Sequence, residues 1–204
     1  METSTAPSVA ETATALASAP AEIDAAYRAL ADARAIVLRP GSTDIWMAMP
    51  FSNAPTAFSV VVRGRSYYAS CAWDAFGIPA LLQDDARIAT SCPDCAAALE
   101  RKIVNGGLVD TRGFVHFVVP PRRWWDDVGR TSATNLLFGS DEHVDRWCDR
   151  NEEPRGAVVP LDQTMALAKR WYSDRMIPEW RRRTPAEMME LFASVGLTGE
   201  FWSM

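Results

Sequence analysis

Cys71 and Asp74 are the residues whose types and spacing most directly suggest chemistry in this chain. A thiol and a carboxyl at this separation share one face of a helix, close enough for one to hand the other a proton. Their surroundings, Tyr68-Ala69-Ser70-Cys71-Ala72-Trp73-Asp74-Ala75-Phe76-Gly77-Ile78-Pro79, are small, aromatic or apolar, which predicts a sheltered pair. Thiolate is the reactive form of cysteine, and a helix N-terminus lowers its pKa. Burial beside an anion instead raises the pKa of a carboxyl. Cys71 is therefore expected as a nucleophile and Asp74 as a proton carrier, with Trp73 and Phe76 walling off water.

Other side chains offer weaker patterns. Cys92-Pro93-Asp94-Cys95 has the spacing of half a tetrahedral zinc site, but no second pair with metal spacing follows. It also has the spacing of a redox pair, yet without the βαβ setting of thioredoxin-like motifs. Cys71, Cys92 and Cys95 together form the candidate soft-metal ligand set, with zinc or copper as the ions considered. His116, His143 and Cys148 stand alone, and His143, beside Asp141 and Glu142, reads as solvated. Trp124 and Trp125 are adjacent, so a strand would turn only one of them inward, and one is expected to line a pocket.

The elements that must position these residues follow from periodicity and turn signals. Phe58 to Tyr68 reads as strand, glycine turn and strand, leading into a helix through Cys71 that Asp84-Asp85 closes. Ala86–Ser91 is expected as a strand running into Cys92. Leu99–Val104 and Phe114–Val119 are expected as strands separated by Asn105-Gly106-Gly107. Asp126–Gly129 reads as a short helical link and Asn135–Phe138 as a buried strand. Ser140 is placed to cap a helix over Asp141–Asp149. Helices are also expected over Ala21–Ala35, Leu161–Ser173 and Pro185–Ser194, the last with Gly196 as its C-cap. Short strands mixed with helices predict an α+β fold with a largely antiparallel sheet.

Bulk properties narrow the classes. The chain has 204 residues, 48% of them hydrophobic, enough for one core with extensions. A net charge of -5 argues against a nucleic-acid partner. No window approaches the run of about 18 apolar residues that crosses a membrane, and the Ala/Ser/Thr-rich start lacks the regions of a signal peptide. The expectation is a cytoplasmic protein with reduced thiols and a small-molecule substrate.

Pro50-Phe51-Ser52-Asn53-Ala54-Pro55-Thr56, followed by the Cys-Ala-x-Asp-Ala-x-Gly-x-Pro run from Cys71 to Pro79, resembles the central motif of the alkylmercury lyases. Ala86–Cys92 resembles that family's next strand. The stretch from Asp127 through Ser132 to Leu137-Phe138-Gly139-Ser140, with Glu142-His143 and Trp147, resembles its second active-site segment. The likeness covers roughly Ile45 to Leu167. It implies that Cys71 attacks mercury, Asp74 delivers the proton and the carbon group leaves as a hydrocarbon. No organic cofactor is implied, and mercury is substrate and product. The second cysteine of the family's dithiol grip aligns with Ser132, and serine is a hard ligand where mercury prefers soft thiolate. Ser132, or Cys92 or Cys95 if the fold brings either near Cys71, is the expected assistant. The family's N-terminal helical domain is expected to be reduced to about one helix before Ile36.

The organisation expected is a disordered leader over 1–20, an N-terminal helix and strand over 21–44, a lyase-like core over 45–175 and a helical extension over 176–204. Three functions fit. One is protonolysis of a carbon–mercury bond. Another is acid–base or covalent chemistry on a small organic metabolite by the same pair. The third is non-catalytic binding of a soft metal.

Overall fold

In Ser59–Val62, Val60 and Val62 are buried while Ser59 and Val61 are half-buried, the alternation of a pleated strand with one face on a core. The computed structural model describes residues 5–204. In chain order the elements are α1 (Val9–Leu16), α2 (Pro20–Asp32), β1 (Val37–Leu38), β2 (Ile45–Ala48), β3 (Phe51–Ser52), β4 (Ser59–Val62), β5 (Arg65–Ala69), α3 (Ala72–Leu82), β6 (Ala86–Ser91), β7 (Ala98–Val104) and β8 (Gly107–Leu108). There follow β9 (Phe114–Phe117), a 3₁₀ turn at Pro121–Arg123, α4 (Val128–Ala133), β10 (Leu136–Phe138), α5 (Asp141–Asn151), β11 (Ala157–Pro160), α6 (Leu161–Tyr172), α7 (Pro185–Ser194) and a 3₁₀ turn at Glu200–Trp202.

Two antiparallel sheets result. The larger has the order β1-β2-β3-β5-β4-β6-β7-β8, and the smaller places β9 between β10 and β11. Register follows burial: Val60 of β4 opposes Ile88 of β6, and Val62 opposes Ala86. The fold is therefore α+β with a mostly antiparallel sheet flanked by helices. Every residue of α3 from Ala72 to Leu81 is buried, as a helix apolar on all sides must be. It packs on α6, where Gly77 leaves room for the Tyr172 ring. Among the described residues, no helix is long and apolar enough to cross a membrane.

The N-terminus departs from expectation. Residues 1–4 of the expected leader lie outside the described residues, but α1 follows them with a full capping box in which Ser8 and Glu11 satisfy each other's backbone N–H. The Tyr27 hydroxyl lies 2.6 Å from Thr12 Oγ1 and donates to Pro7 O at 3.3 Å, and the Ala6 N–H donates to Asn53 Oδ1 at 3.0 Å. Ala13, Ile23, Tyr27 and Ile45 form a small separate core. Two helices thus precede β1 rather than one, held by burial that local composition does not reveal. The helical link expected at Asp126–Gly129 is instead α4, capped by the Asp127 side chain on the Arg130 N–H. Ser140 occupies the N-cap position of α5, but its side chain makes no cap bond.

Candidate active site

β5 delivers the chain to Ser70, and α3 begins two residues on. Cys71 is its N-cap, with extended backbone, and the Asp74 N–H donates to Cys71 Sγ at 3.4 Å. The other free N–H groups of this first turn go to Asn135, just ahead of β10. Ala72 N–H donates to Asn135 O and Trp73 N–H to Asn135 Oδ1, each at 3.0 Å. The helix end that presents the thiol is therefore fixed by a residue far along the chain.

Asp74 is only 2% exposed. Its Oδ1 accepts a hydrogen bond from the Tyr172 hydroxyl, and the Cys71 thiol also bonds to its carboxylate. Burial pushes the carboxyl pKa up to about 6, held from rising further by those two bonds and by the Arg175 charge. Burial, and then the Asp74 charge, push the Cys71 thiol well above its ordinary value, against the pull of the Asp74 and Trp73 N–H groups. This reverses the expectation for the thiol: two backbone donors do not offset the loss of water around the sulfur. At neutral pH the pair holds one proton, on sulfur, with an ionised carboxylate poised to take it.

Above the pair lies a cleft of about 60 Å³, room for a small group or a few water molecules. Its walls are Trp73, Trp124, Trp125 and Trp171, with Met49 and Val128, and its polar lining is Cys71, Asp74, Thr131, Ser132, Asn135, Tyr172 and Arg175. The Trp73 ring centroid lies 5.3 Å from that of Trp124 and 5.2 Å from that of Trp171. Trp73 Nε1–H is buried without a partner.

Trp124 and Trp125 both line the cleft. They follow a 3₁₀ turn rather than lying on a strand, so the expected choice between them does not arise. Phe76 does not line it: two positions beyond Asp74 on a helix it faces the other way, fully buried in the core. Trp171, Tyr172 and Arg175, all in or just after α6, belong to the site although nothing singled them out in the sequence. The Arg175 guanidinium sits 5.3 Å over the Tyr172 ring and donates to Met49 O at 2.7 Å.

Ser132, in α4, is buried and lines the same cleft as Cys71, with its hydroxyl 4.0 Å from Met47 Sδ. Cys92 and Cys95 do not join Cys71. They face His143, with Nδ1 at 3.3 and 3.7 Å from their sulfurs, because the β6–β7 turn packs on the start of α5. The expected three-cysteine ligand set is thus divided, and His143, expected to be solvated, is a neighbour of two thiols. Cys148 is buried beside His116. Cys71 is the one thiol lining the cleft among the described residues.

The family model described as alkylmercury lyase, MerB, matches residues 51–173, a span that contains Cys71, Asp74 and Ser132. No curated protein matches the sequence. A solved structure described as the mercury-bound form of MerB2 superposes with a TM-score of 0.68 at 20% identity, over 83% of this chain and 82% of that one. At that identity the superposition speaks for the fold alone.

Proposed function

The chain belongs to the alkylmercury lyase family, and from that premise we propose that it cleaves a carbon–mercury bond by protonolysis with Cys71 and Asp74. The observation that carries the reading is a thiol and an ionised carboxylate sharing one proton at the base of a tryptophan-walled cleft. As Cys71 Sγ bonds to the mercury of R–Hg–X, the halide or carboxylate X leaves as an anion and the thiol proton passes to Asp74. Asp74 then delivers that proton to the carbon. R–H departs, the carbon–mercury bond breaks, and Hg(II) remains between the Cys71 thiolate and the Asp74 carboxylate. No electron donor is required and charge is conserved throughout. A carboxyl brought to about 6 suits both halves of the transfer.

Incubation with phenylmercuric acetate and excess small thiol, with gas chromatography of the headspace, tests the reading. Benzene accumulating beyond one equivalent per chain supports it, and none at all sinks it. Ser132 supports a further prediction. A second soft ligand in the cleft would stabilise the departing mercury, so Ser132→Cys is expected to raise benzene release by about tenfold, equivalent to about 1.4 kcal/mol of barrier. An unchanged rate would mean that the residue does not face the metal.

One observation favours a second reading, chemistry on a small organic anion. Beside the cleft lies a recess lined by Arg34, Arg175, Arg182 and Arg183, with Met204 on its wall and no Asp or Glu side chain in its lining; of these arginines, Arg183 is paired with Asp174 at 2.6 Å. Arg34 and Arg182 sit 5.4 and 5.7 Å from the Trp125 ring centroid, and the Arg34 charge pulls the Arg182 pKa down, after burial. An anion would relieve that repulsion. Benzoate is expected to quench tryptophan fluorescence, with binding weakened about tenfold in Arg182→Ala. Binding of this kind without benzene release, even in Ser132→Cys, would favour this reading over the first.

A further inference from the structure

The Cys92–Cys95 turn and α5 meet away from the cleft, in an arrangement that protonolysis does not use. We propose that Cys92, Cys95 and His143 form a binding site for a resident Zn²⁺ ion, with its fourth position open to solvent. One donor atom from each of the three residues lies within 4.8 Å of the others. A tetrahedral zinc bound at the usual Zn–S and Zn–N lengths sets sulfur and nitrogen about 3.5 Å apart. The observed separations of 3.3 and 3.7 Å from His143 Nδ1 bracket that value.

The turn is shaped to present sulfur. The N–H groups of Asp94 and Cys95 donate to Cys92 Sγ, as does that of Gly139 from the neighbouring loop. Three backbone donors on one sulfur suit a thiolate rather than a thiol. Cys92 N–H donates to Ala97 O and Ala96 N–H to Cys92 O, each at 2.9 Å, closing the loop around the two cysteines. This closure holds Ala96 at φ +59°, a conformation costly for a residue with a side chain.

The opposite side of the site is pinned by charge. The Asp94 side chain is 3% exposed and pairs with Arg146 at 2.6 Å and Arg150 at 2.7 Å. Those arginines lie one and two turns beyond His143 on the same face of α5. The residue between the two cysteines thus locks the turn to the helix that supplies the imidazole. Two thiolates and an imidazole select zinc over hard cations such as Mg²⁺ or Ca²⁺. Cys95 is exposed, so water can reach the remaining position.

The test uses full-length protein, purified reduced, with zinc measured by inductively coupled plasma mass spectrometry. Zinc equimolar with chain is expected for wild type and for Cys71→Ser, and its loss is expected for Cys95→Ser and His143→Ala. Cys95 is exposed, so its serine variant should fold, which circular dichroism checks. Co²⁺ added to zinc-free protein should give tetrahedral d–d bands and thiolate charge-transfer absorption that are absent in Cys95→Ser. Reduced wild type that takes up neither ion would overturn the proposal. So would uptake unchanged in both Cys95→Ser and His143→Ala, or abolished by Cys71→Ser alone. These readouts do not depend on carbon–mercury cleavage.

Discussion

Asp74→Asn should still take up a phenylmercury group on Cys71, besides any on the exposed Cys95, and lose nearly all benzene release. The amide occupies the same buried place beside Tyr172 but can neither take the thiol proton nor deliver one to carbon. Attack can still proceed if the Cys71 proton leaves to solvent, so binding survives while the reaction stops at the mercury thiolate. Loss of a positioned acid costs about 10² to 10⁴ in rate. Cys71→Ser should fail earlier, forming no adduct at position 71, with turnover lower by on the order of 10⁴ or more. Mass spectrometry of the peptide that carries position 71, which separates it from the exposed Cys95, reads the adduct, and gas chromatography the hydrocarbon. Turnover by Asp74→Asn at the wild-type rate would remove the carboxyl from the chemistry, and turnover by Cys71→Ser at the wild-type rate would remove the thiol.

Gly77→Ala is the second large effect expected, although this residue touches no substrate. A Cβ at Gly77 would lie 2.5 and 2.6 Å from the Tyr172 ring, closer than carbon atoms approach. The ring has nowhere to retreat: Trp73 lies 5.5 Å away between centroids, and the Arg175 guanidinium covers it at 5.3 Å. Overpacking of this kind costs about 1–3 kcal/mol. The same displacement would take the Tyr172 hydroxyl off Asp74, so benzene release should fall along with the midpoint of urea denaturation. Unchanged values of both would show that α6 yields easily and that Gly77 has another purpose.

The local parts of the site were legible in the sequence. The valine-rich run before Gly64 and the small residues after Tyr68 marked two strands and a helix, and they put Cys71 at the junction. The spacing of Cys71 and Asp74 placed the carboxyl in contact with the thiol, as found. What the sequence hid lies far along the chain. Tyr172 reaches Asp74 across 98 positions, and Asn135 reaches Trp73 across 62. Amphipathic spacing in α6 shows which face is inward but not which hydroxyl meets which carboxylate. The same limit explains His143, whose place beside Cys92 depends on how the β6–β7 turn packs on α5. For α1 a signal did exist: Ser8-x-x-Glu11 is a capping box, masked by an Ala/Thr-rich composition that suggested disorder.

The sequestered carboxyl also has a consequence for the folding equilibrium. The folded chain keeps the Asp74 proton up to about pH 6, whereas an unfolded chain releases it near the ordinary 3.8. Because the folded value is the higher one, the native state binds more protons between these limits. The contribution of this group to stability is therefore greatest below the lower limit and falls as pH rises to the upper one. The fall is about 3 kcal/mol, visible as a declining denaturation midpoint that Asp74→Asn should flatten. Proton transfer from Cys71 needs the ionised carboxylate, and so turnover and stability run in opposite directions through the same acid interval.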